Sequence, residues 1–363
     1  MKTALVTGGT GFIGSNFILQ ARQQSWANII NLDLLTDTCN PHTLAELGHD
    51  AGYAFIHGDI RQRKLVEAIL EKYQPDFVIN FAAESHVDRS ILSPVNFVQT
   101  NIVGTFELLE ACRAYWQNLS LDRRSQFRFL QISTDEVYGS LSPTDLPFTE
   151  TSPYRPNSPY SASKASADHL GRSYFQTYEF PVLTINSANN YGARQFPEKL
   201  IPLMITNALG GQPLPIYGDG LNIRDWVYVE DHCAAIFLVL EQGVVGETYN
   251  IGGNSEITNL EVVTKICEIL DELAPNPKHI NSKYTDLIIF TKDRLGHDRR
   301  YALNCSKIKQ DLGWEPKESF DTGLLKTVQW YLANSLWLEQ VQTGAYQTWI
   351  QQNYGTLEYK SAK

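Results

Sequence analysis

The stretch that most constrains this chain begins at its third residue. Thr3-Ala4-Leu5-Val6-Thr7 has the apolar, β-branched content of a buried strand, and Gly8, Gly11 and Gly14 follow it at G-x-x-G-x-x-G spacing. A helical pattern opens next. A second strand-like run, Ile29-Ile30-Asn31-Leu32-Asp33, ends 19 residues beyond Gly14. Strand, glycine loop, helix and strand in that order predict a parallel βαβ unit. Such a loop lets the backbone approach a pyrophosphate closely and points a helix N-terminus at it. Gly8, Gly11, Phe12, Ile13 and Gly14 are therefore candidates to hold a dinucleotide, with Asp33 accepting hydrogen bonds from the adenosine ribose. Leu34 and Leu35 put no basic group beside Asp33 for a 2′-phosphate, so the expected cofactor is NAD rather than NADP.

The alternation continues. Tyr53 to Ile60 is strand-like and ends in Asp59-Ile60, placed for an adenine contact. Phe77 to Ala83 is a further strand, and Phe81, Ala82 and Ala83 suit close passage beneath a flat cofactor. Helical patterns run over about 61–73 and 94–115. This rhythm specifies an α/β fold, a Rossmann-type doubly wound parallel sheet. With 363 residues, a smaller C-terminal lobe is expected as well. The expected division is 1–188 for the nucleotide-binding domain and catalytic residues, and 189–335 for a mainly substrate-binding lobe from which some segments return to the sheet. A tail covers 336–363.

Composition excludes several functions. A net charge of −10 argues against nucleic acid and anionic membrane surfaces as partners. No run approaches the roughly 18 apolar residues of a membrane span, and the N-terminus opens on a strand rather than a secretory signal. The 5 cysteines (Cys39, Cys112, Cys233, Cys267, Cys305) are widely spaced without a Cys-x-x-Cys, which suits reduced thiols in a cytoplasm. That pattern supports neither a disulfide framework nor a metal site.

The chemistry concentrates in two places. Phe127 to Ile132 reads as a buried strand, so Thr134, Asp135 and Glu136 sit at its carboxyl end, where open α/β sheets place ligands. Adjacent carboxylates there suggest an acid and a base, although Thr-Asp-Glu alone also reads as a turn or helix cap. Further on, Tyr160 and Lys164 share one face of a helical stretch at i and i+4. An ammonium close to a phenol favours the phenolate, which can take a hydroxyl proton while hydride leaves the same carbon. Tyr359 and Lys363 repeat the spacing by chance in the tail. After the fourth strand, His86 reads either as a loop histidine bonded to backbone or as a cofactor-side group. Thr100 and Asn101 sit in a helix, where buried polar groups need partners.

Together these elements resemble the extended short-chain dehydrogenase/reductase family, and within it the nucleoside-diphosphate-hexose 4,6-dehydratases. The resemblance runs from Lys2 to about Trp330. It is carried by Thr134-Asp135-Glu136, Ala82 to Ser90, Asn189-Asn190-Tyr191-Gly192, Phe196 to Pro202, and Arg224-Asp225-Trp226-Val227. It implies that Ser85, Thr100, Tyr160, Lys164 and Asn190 also contact NAD. It implies a nucleoside-diphosphate hexose substrate, dTDP-glucose in the first place. Ser85, Thr134, Asn189, Lys199, Leu200, Arg224, Asn259, Asp293, Arg294 and His297 would bind it, with Pro215, Ile216 and Tyr217 at the base. Arg299 and Arg300 are further candidates for its diphosphate, since guanidinium groups match phosphate oxygens. A homodimer built on the helices at about 94–115 and 160–180 is implied too. Two positions depart from the family pattern. Leu34-Leu35-Thr36-Asp37-Thr38-Cys39-Asn40 stands where Lys-Leu-Thr-Tyr-Ala-Gly-Asn is usual, and Leu295 replaces the proline of Asp-Arg-Pro-Gly-His.

The implied chemistry is an internal redox cycle: oxidation at C4, loss of water across C5–C6 and reduction at C6. Tyr160 and Lys164 would serve the oxidation, Thr134 would position the hydroxyl, Asp135 would be the acid and Glu136 the base. A 4-epimerase or decarboxylase on the same scaffold is the alternative, and a catalytically idle NAD-binding regulator a more remote one. Neither needs Asp135-Glu136 after the threonine.

Overall fold

The computed structural model describes residues 1–36, 39–275 and 283–342. Asp37, Thr38, the Tyr359–Lys363 pair and the rest of the tail beyond 342 lie outside the described residues. Six strands in the first half are β1 (Lys2–Thr7), β2 (Ala27–Asp33), β3 (Tyr53–His57), β4 (Phe77–Asn80), β5 (Arg128–Thr134) and β6 (Val182–Ser187). A seventh, Thr248–Ile251, joins beyond β6 and gives the order Thr248–Ile251, β6, β5, β4, β1, β2, β3. Every pairing is parallel. This is the doubly wound arrangement, with its switch in strand order at β1 and β4. Strand interiors are apolar because helices cover both faces of the sheet.

Helix Phe12–Gln23 starts directly after the glycine loop, with Gly11 at its N-cap and no side chain satisfying the first-turn N–H groups. Those donors face the cleft described below. Gly8 takes φ +68, and a Cβ there would lie 2.6 Å from the Ala82 backbone nitrogen. Helix Val229–Gln242 returns from the second half and stacks Phe237 on Phe17, with ring centroids 4.7 Å apart.

The rest of the second half builds its own layer. Strand Ile223–Tyr228 lies between Asn189–Tyr191, parallel to it, and Glu256–Thr258, antiparallel to it. Leu214–Tyr217 pairs with Ile288–Thr291 in a separate two-stranded sheet. Tyr191, Met204, Trp226, Ile266 and Tyr331 belong to the apolar core beneath these sheets. Helix Ser335–Val341 docks there through Leu338.

The catalytic segment is set by local signals. Helix Pro159–Tyr178 begins with proline at N1 and a reciprocal capping box between Ser158 and Ser161, and it ends where Glu179 turns left-handed. At the end of β5, the Thr134 hydroxyl accepts the Glu136 N–H at 3.3 Å and starts the short turn Asp135–Tyr138. The cap reading of this triplet therefore holds. The region expected as one helix over 94–115 runs from Pro94 to Gln117 with a π-helical stretch, Val98–Gly104, inside it. That stretch carries Thr100 and Asn101.

Replacing Gly8 by Ala forces a methyl group into the Ala82 backbone at a left-handed position. The expected result is a loss of about 1–3 kcal/mol in urea unfolding, with weaker NAD retention. A variant as stable as the parent would show that the close approach is not required.

Candidate active site

One cleft runs along the carboxyl ends of the strands, where β1 and β4 part. Its walls include every residue expected to hold the cofactor: Gly8, Gly11, Phe12, Ile13, Gly14, Asp33, Asp59, Ile60, Phe81, Ala82, Ala83, Ser85, Thr100, Tyr160, Lys164 and Asn190. Thr134, Asp135 and Glu136 line the same cleft. Asp33 is 5% exposed and accepts the Thr10 N–H and the Leu35 N–H, each at 2.8 Å, one on each oxygen. A carboxylate oxygen has more than one acceptor site, so both remain able to take a ribose hydroxyl. The open helix N-terminus, the Gly8 approach and this anchored carboxylate fit a dinucleotide. Leu34, Thr36 and Cys39 close the adenosine end. The Cys39 N–H bonds the Thr36 carbonyl at 2.9 Å, within the stretch that departs from the family pattern.

The two carboxylates differ in surroundings. Asp135 is 1% exposed, and its Oδ2 has no hydrogen-bond partner among the described residues. Burial, with the charges of Glu136 and Asp225 nearby, pushes its pKa well above the ordinary 3.8. Glu136 is also pushed up by burial, but Arg294, Arg224 and Lys199 oppose the rise. Burial thus favours the protonated form of both carboxyls, more so at Asp135, while three cations face Glu136. The Thr134 hydroxyl lies 3.3 Å from Asp135 Oδ1 and also hydrogen-bonds Tyr160.

Tyr160 and Lys164 line the cleft together from one helix. Lys164 Nζ donates to the Ile132 carbonyl at 2.6 Å, and burial pushes the Tyr160 phenol up rather than down, with Glu136 and Asp135 adding to the rise. Residues i and i+4 do share the helix face. Desolvation and two neighbouring carboxylates raise the phenol, while the Lys164 ammonium bonds the end of β5. Burial lowers Lys164 to about 8.

The substrate candidates separate into groups. Ser85, Thr134, Asn189 and Lys199 line the main cleft, and Lys199 Nζ donates to the Ser85 carbonyl at 2.8 Å. Tyr217, Asp293 and Arg294 line a second hollow with Asp88 and the 72% exposed Leu295. Arg224 is buried against the Tyr301 ring at 4.4 Å and donates to the Asp298 carbonyl at 3.0 Å. His297 pairs with Asp293 at 2.7 Å, and burial lowers it to about 4. Ile216 sits in the core of the lobe, and neither it, Pro215, Leu200 nor Asn259 lines either cavity. Arg299 and Arg300 do not gather with the others: they are tied to Asp219 and Glu256 at 2.9 and 2.6 Å.

The loop after β4 is clamped from two sides. Asn101 accepts the Glu84 N–H at 2.8 Å and donates to the Glu84 carbonyl at 3.0 Å and to Ser163 Oγ at 2.8 Å. It thereby joins that loop to the catalytic helix. His86 is buried 3.4 Å from the Glu198 carbonyl, as the loop reading supposed. Glu198, which the sequence did not single out, lines the cleft and pairs with Arg89 at 2.8 Å.

Known proteins place this arrangement. The family model described as GDP-mannose 4,6 dehydratase matches residues 5–327. A dTDP-glucose 4,6-dehydratase of Neisseria meningitidis serogroup B is 55% identical over 95% of this chain and 98% of its own. The chain belongs to the dTDP-glucose 4,6-dehydratases. Among solved structures, the dTDP-glucose 4,6-dehydratase of Bacillus anthracis in complex with NAD superposes with a TM-score of 0.83. It is 45% identical, over 94% of this chain and all (100%) of that one. The Streptomyces venezuelae dehydratase with NAD and dTDP bound gives 0.84 at 43% identity, covering 93% and 99%. In this dehydratase, as the sequence predicted, the sheet is Rossmann-type and the cofactor NAD.

Ionisation of Asp135 opposes folding, because its folded pKa is raised. Stability from this group is complete below the ordinary 3.8 and declines as pH rises through the folded value. Asp135→Asn removes that decline. Its stability relative to the parent should grow above pH ~4, by up to about 1.4 kcal/mol per pH unit, in urea titrations at several pH values. A constant difference across pH would contradict a proton-holding Asp135.

Proposed function

We propose that this protein is an NAD-dependent hydro-lyase converting dTDP-glucose to dTDP-4-keto-6-deoxyglucose, with residues 1–188 supplying cofactor site and catalysis and 189–335 mainly the sugar-nucleotide site. The observation that carries the reading is the placement of a buried Asp135, its Oδ2 without a hydrogen-bond partner among the described residues, beside a cation-faced Glu136 in the cleft of Tyr160. A 4-epimerase or decarboxylase has no step that uses both carboxylates.

Bound NAD would accept a hydride from C4 and later return it to C6, and its oxidised ring carries a positive charge that favours an anionic Tyr160. Tyr160 takes the C4 hydroxyl proton while Thr134, bonded to the phenol, holds that hydroxyl in place. The resulting C4 ketone acidifies C5–H. Glu136 removes the C5 proton, and Arg224, Arg294 and Lys199 favour its ionised form. Asp135 gives its proton to the C6 hydroxyl, which leaves as water. Glu136 then returns a proton to C5, next to the carbon that NAD would reduce. The C4 hydroxyl proton left on Tyr160 replaces the one Asp135 gave up, so the side chains return to their starting states and the sugar loses only water. Arg294, Lys199 and Tyr217 bind the nucleoside diphosphate.

Among the described residues no helix is long and apolar enough to cross a membrane. The wide spacing of the 5 cysteines, with no Cys-x-x-Cys among them, supports a cytoplasmic setting. Val95, Val98, Phe106 and Tyr178 are exposed on the helices that would pair the homodimer. Light scattering of the purified protein should give twice the mass of one chain; a monomer would end that part of the proposal.

Asp135→Asn should lower dehydration by about 10²–10⁴-fold while leaving NADH formation from dTDP-glucose measurable by absorbance. Keto-sugar formation at the parent rate would remove Asp135 as the acid. Loss of NADH formation together with dehydration would place it in the oxidation step.

A further inference from the structure

Asp168 lies outside the cleft, takes no part in the chemistry above, and is 4% exposed. It stands four residues after Lys164 on the same buried face of helix Pro159–Tyr178. Ser133, the residue before Thr134, donates from Oγ to Asp168 Oδ2 at 2.6 Å. Tyr154, on the segment leading into the helix, donates to the same oxygen at 3.2 Å. From β6, Asn186 holds that phenol at 3.0 Å and the Tyr138 phenol at 2.8 Å. Asp168 Oδ1 has no hydrogen-bond partner among the described residues.

We propose that Asp168 is a positioning residue of the catalytic centre: its carboxylate ties the end of β5, which bears Thr134, to the helix, and supplies the counter-charge for the Lys164 ammonium. The proposal rests on the dehydratase reading above and adds to it a residue that touches neither substrate nor cofactor.

The lysine is 4% exposed, and its printed partner is a neutral carbonyl, that of Ile132. An ammonium removed from water needs an anion to remain charged. The titratable groups around Asp168 are Lys164 and Tyr160 on its own helix, Tyr154 before it, and Tyr138 on the turn after β5. His169 packs on the far side of Tyr154, 5.2 Å between ring centroids. Lys164 is the cation of that set, and Asp168 is the charge that raises it against burial. The two are balanced: burial moves Asp168 up to about 7 and Lys164 down to about 8. Ser133 and Tyr154 oppose the rise in Asp168 by bonding its anionic form. Its sequence signal is slight, since an aspartate four residues after a lysine on a helix reads as an ordinary surface pair.

The test titrates Lys164 directly, by the ¹³Cε shift of labelled lysine assigned against Lys164→Arg, in the parent and in Asp168→Asn. Asn keeps an acceptor for Ser133 but loses the charge. Removing an anion that raises the lysine must lower its midpoint, from about 8 in the parent by about one unit or more. The alkaline limb of the dehydration pH profile should shift the same way. A purely structural role would lower the plateau and leave both midpoints in place, and that result overturns the proposal. Should Asp168→Asn fail to fold, Tyr154→Phe decides. It removes one donor from Oδ2, makes the carboxylate a weaker anion, and should move Lys164 down by a smaller amount; an unmoved midpoint there counts against the proposal. A parent inactive on every nucleoside-diphosphate hexose would sink the functional reading and leave the Lys164 titration to decide this one.

Discussion

The site depends on keeping ionisable groups dry. Asp135, Tyr160 and Lys164 are all buried, so each is displaced from its solution behaviour by loss of water before any partner is considered. Neighbours then decide which group keeps a proton. Asp135 lies next to further carboxylates and holds one; Glu136 lies toward Arg224, Arg294 and Lys199 and is held back from doing so as strongly. Two carboxyls one residue apart thus meet different surroundings, because a short turn follows β5; the proposed acid and base roles rest on that difference.

That division requires both halves of the chain. The cofactor wall comes from the first strands of the main sheet, while the cations facing Glu136 arrive from Lys199, Arg224 and Arg294 in the second half. Helix Val229–Gln242 and strand Thr248–Ile251 fasten the halves together by returning to the sheet after the lobe has begun. The lobe therefore cannot be repositioned without disturbing the core around Phe17 and Phe237.

The cofactor half was legible because its constraints act on the backbone. Gly8 stands where a Cβ would strike Ala82, and Asp33 ends a strand at a fixed distance from the loop, so spacing alone marked them. Side-chain partners were not legible in the same way. Nothing in Tyr160 and Lys164 says that the ammonium reaches the Ile132 carbonyl, which depends on how the helix packs across β5. Arg299 and Arg300 have the composition of a phosphate site, yet their partners Asp219 and Glu256 come from a turn 80 and a strand 44 residues earlier in the chain. The π-helical stretch at Val98–Gly104 left no periodic trace, although it sets Asn101 between Glu84 and Ser163.

The central claim is that Asp135 alone of the pair holds a proton before turnover. Infrared difference spectroscopy at neutral pH measures this directly, through the carbonyl stretch of a protonated carboxyl group. The account predicts a component of that band, separate from the one Asp168→Asn removes, that is lost in Asp135→Asn and kept in Glu136→Gln. A band that survives Asp135→Asn and disappears in Glu136→Gln would reverse the two roles, and its absence from the parent would contradict the account outright.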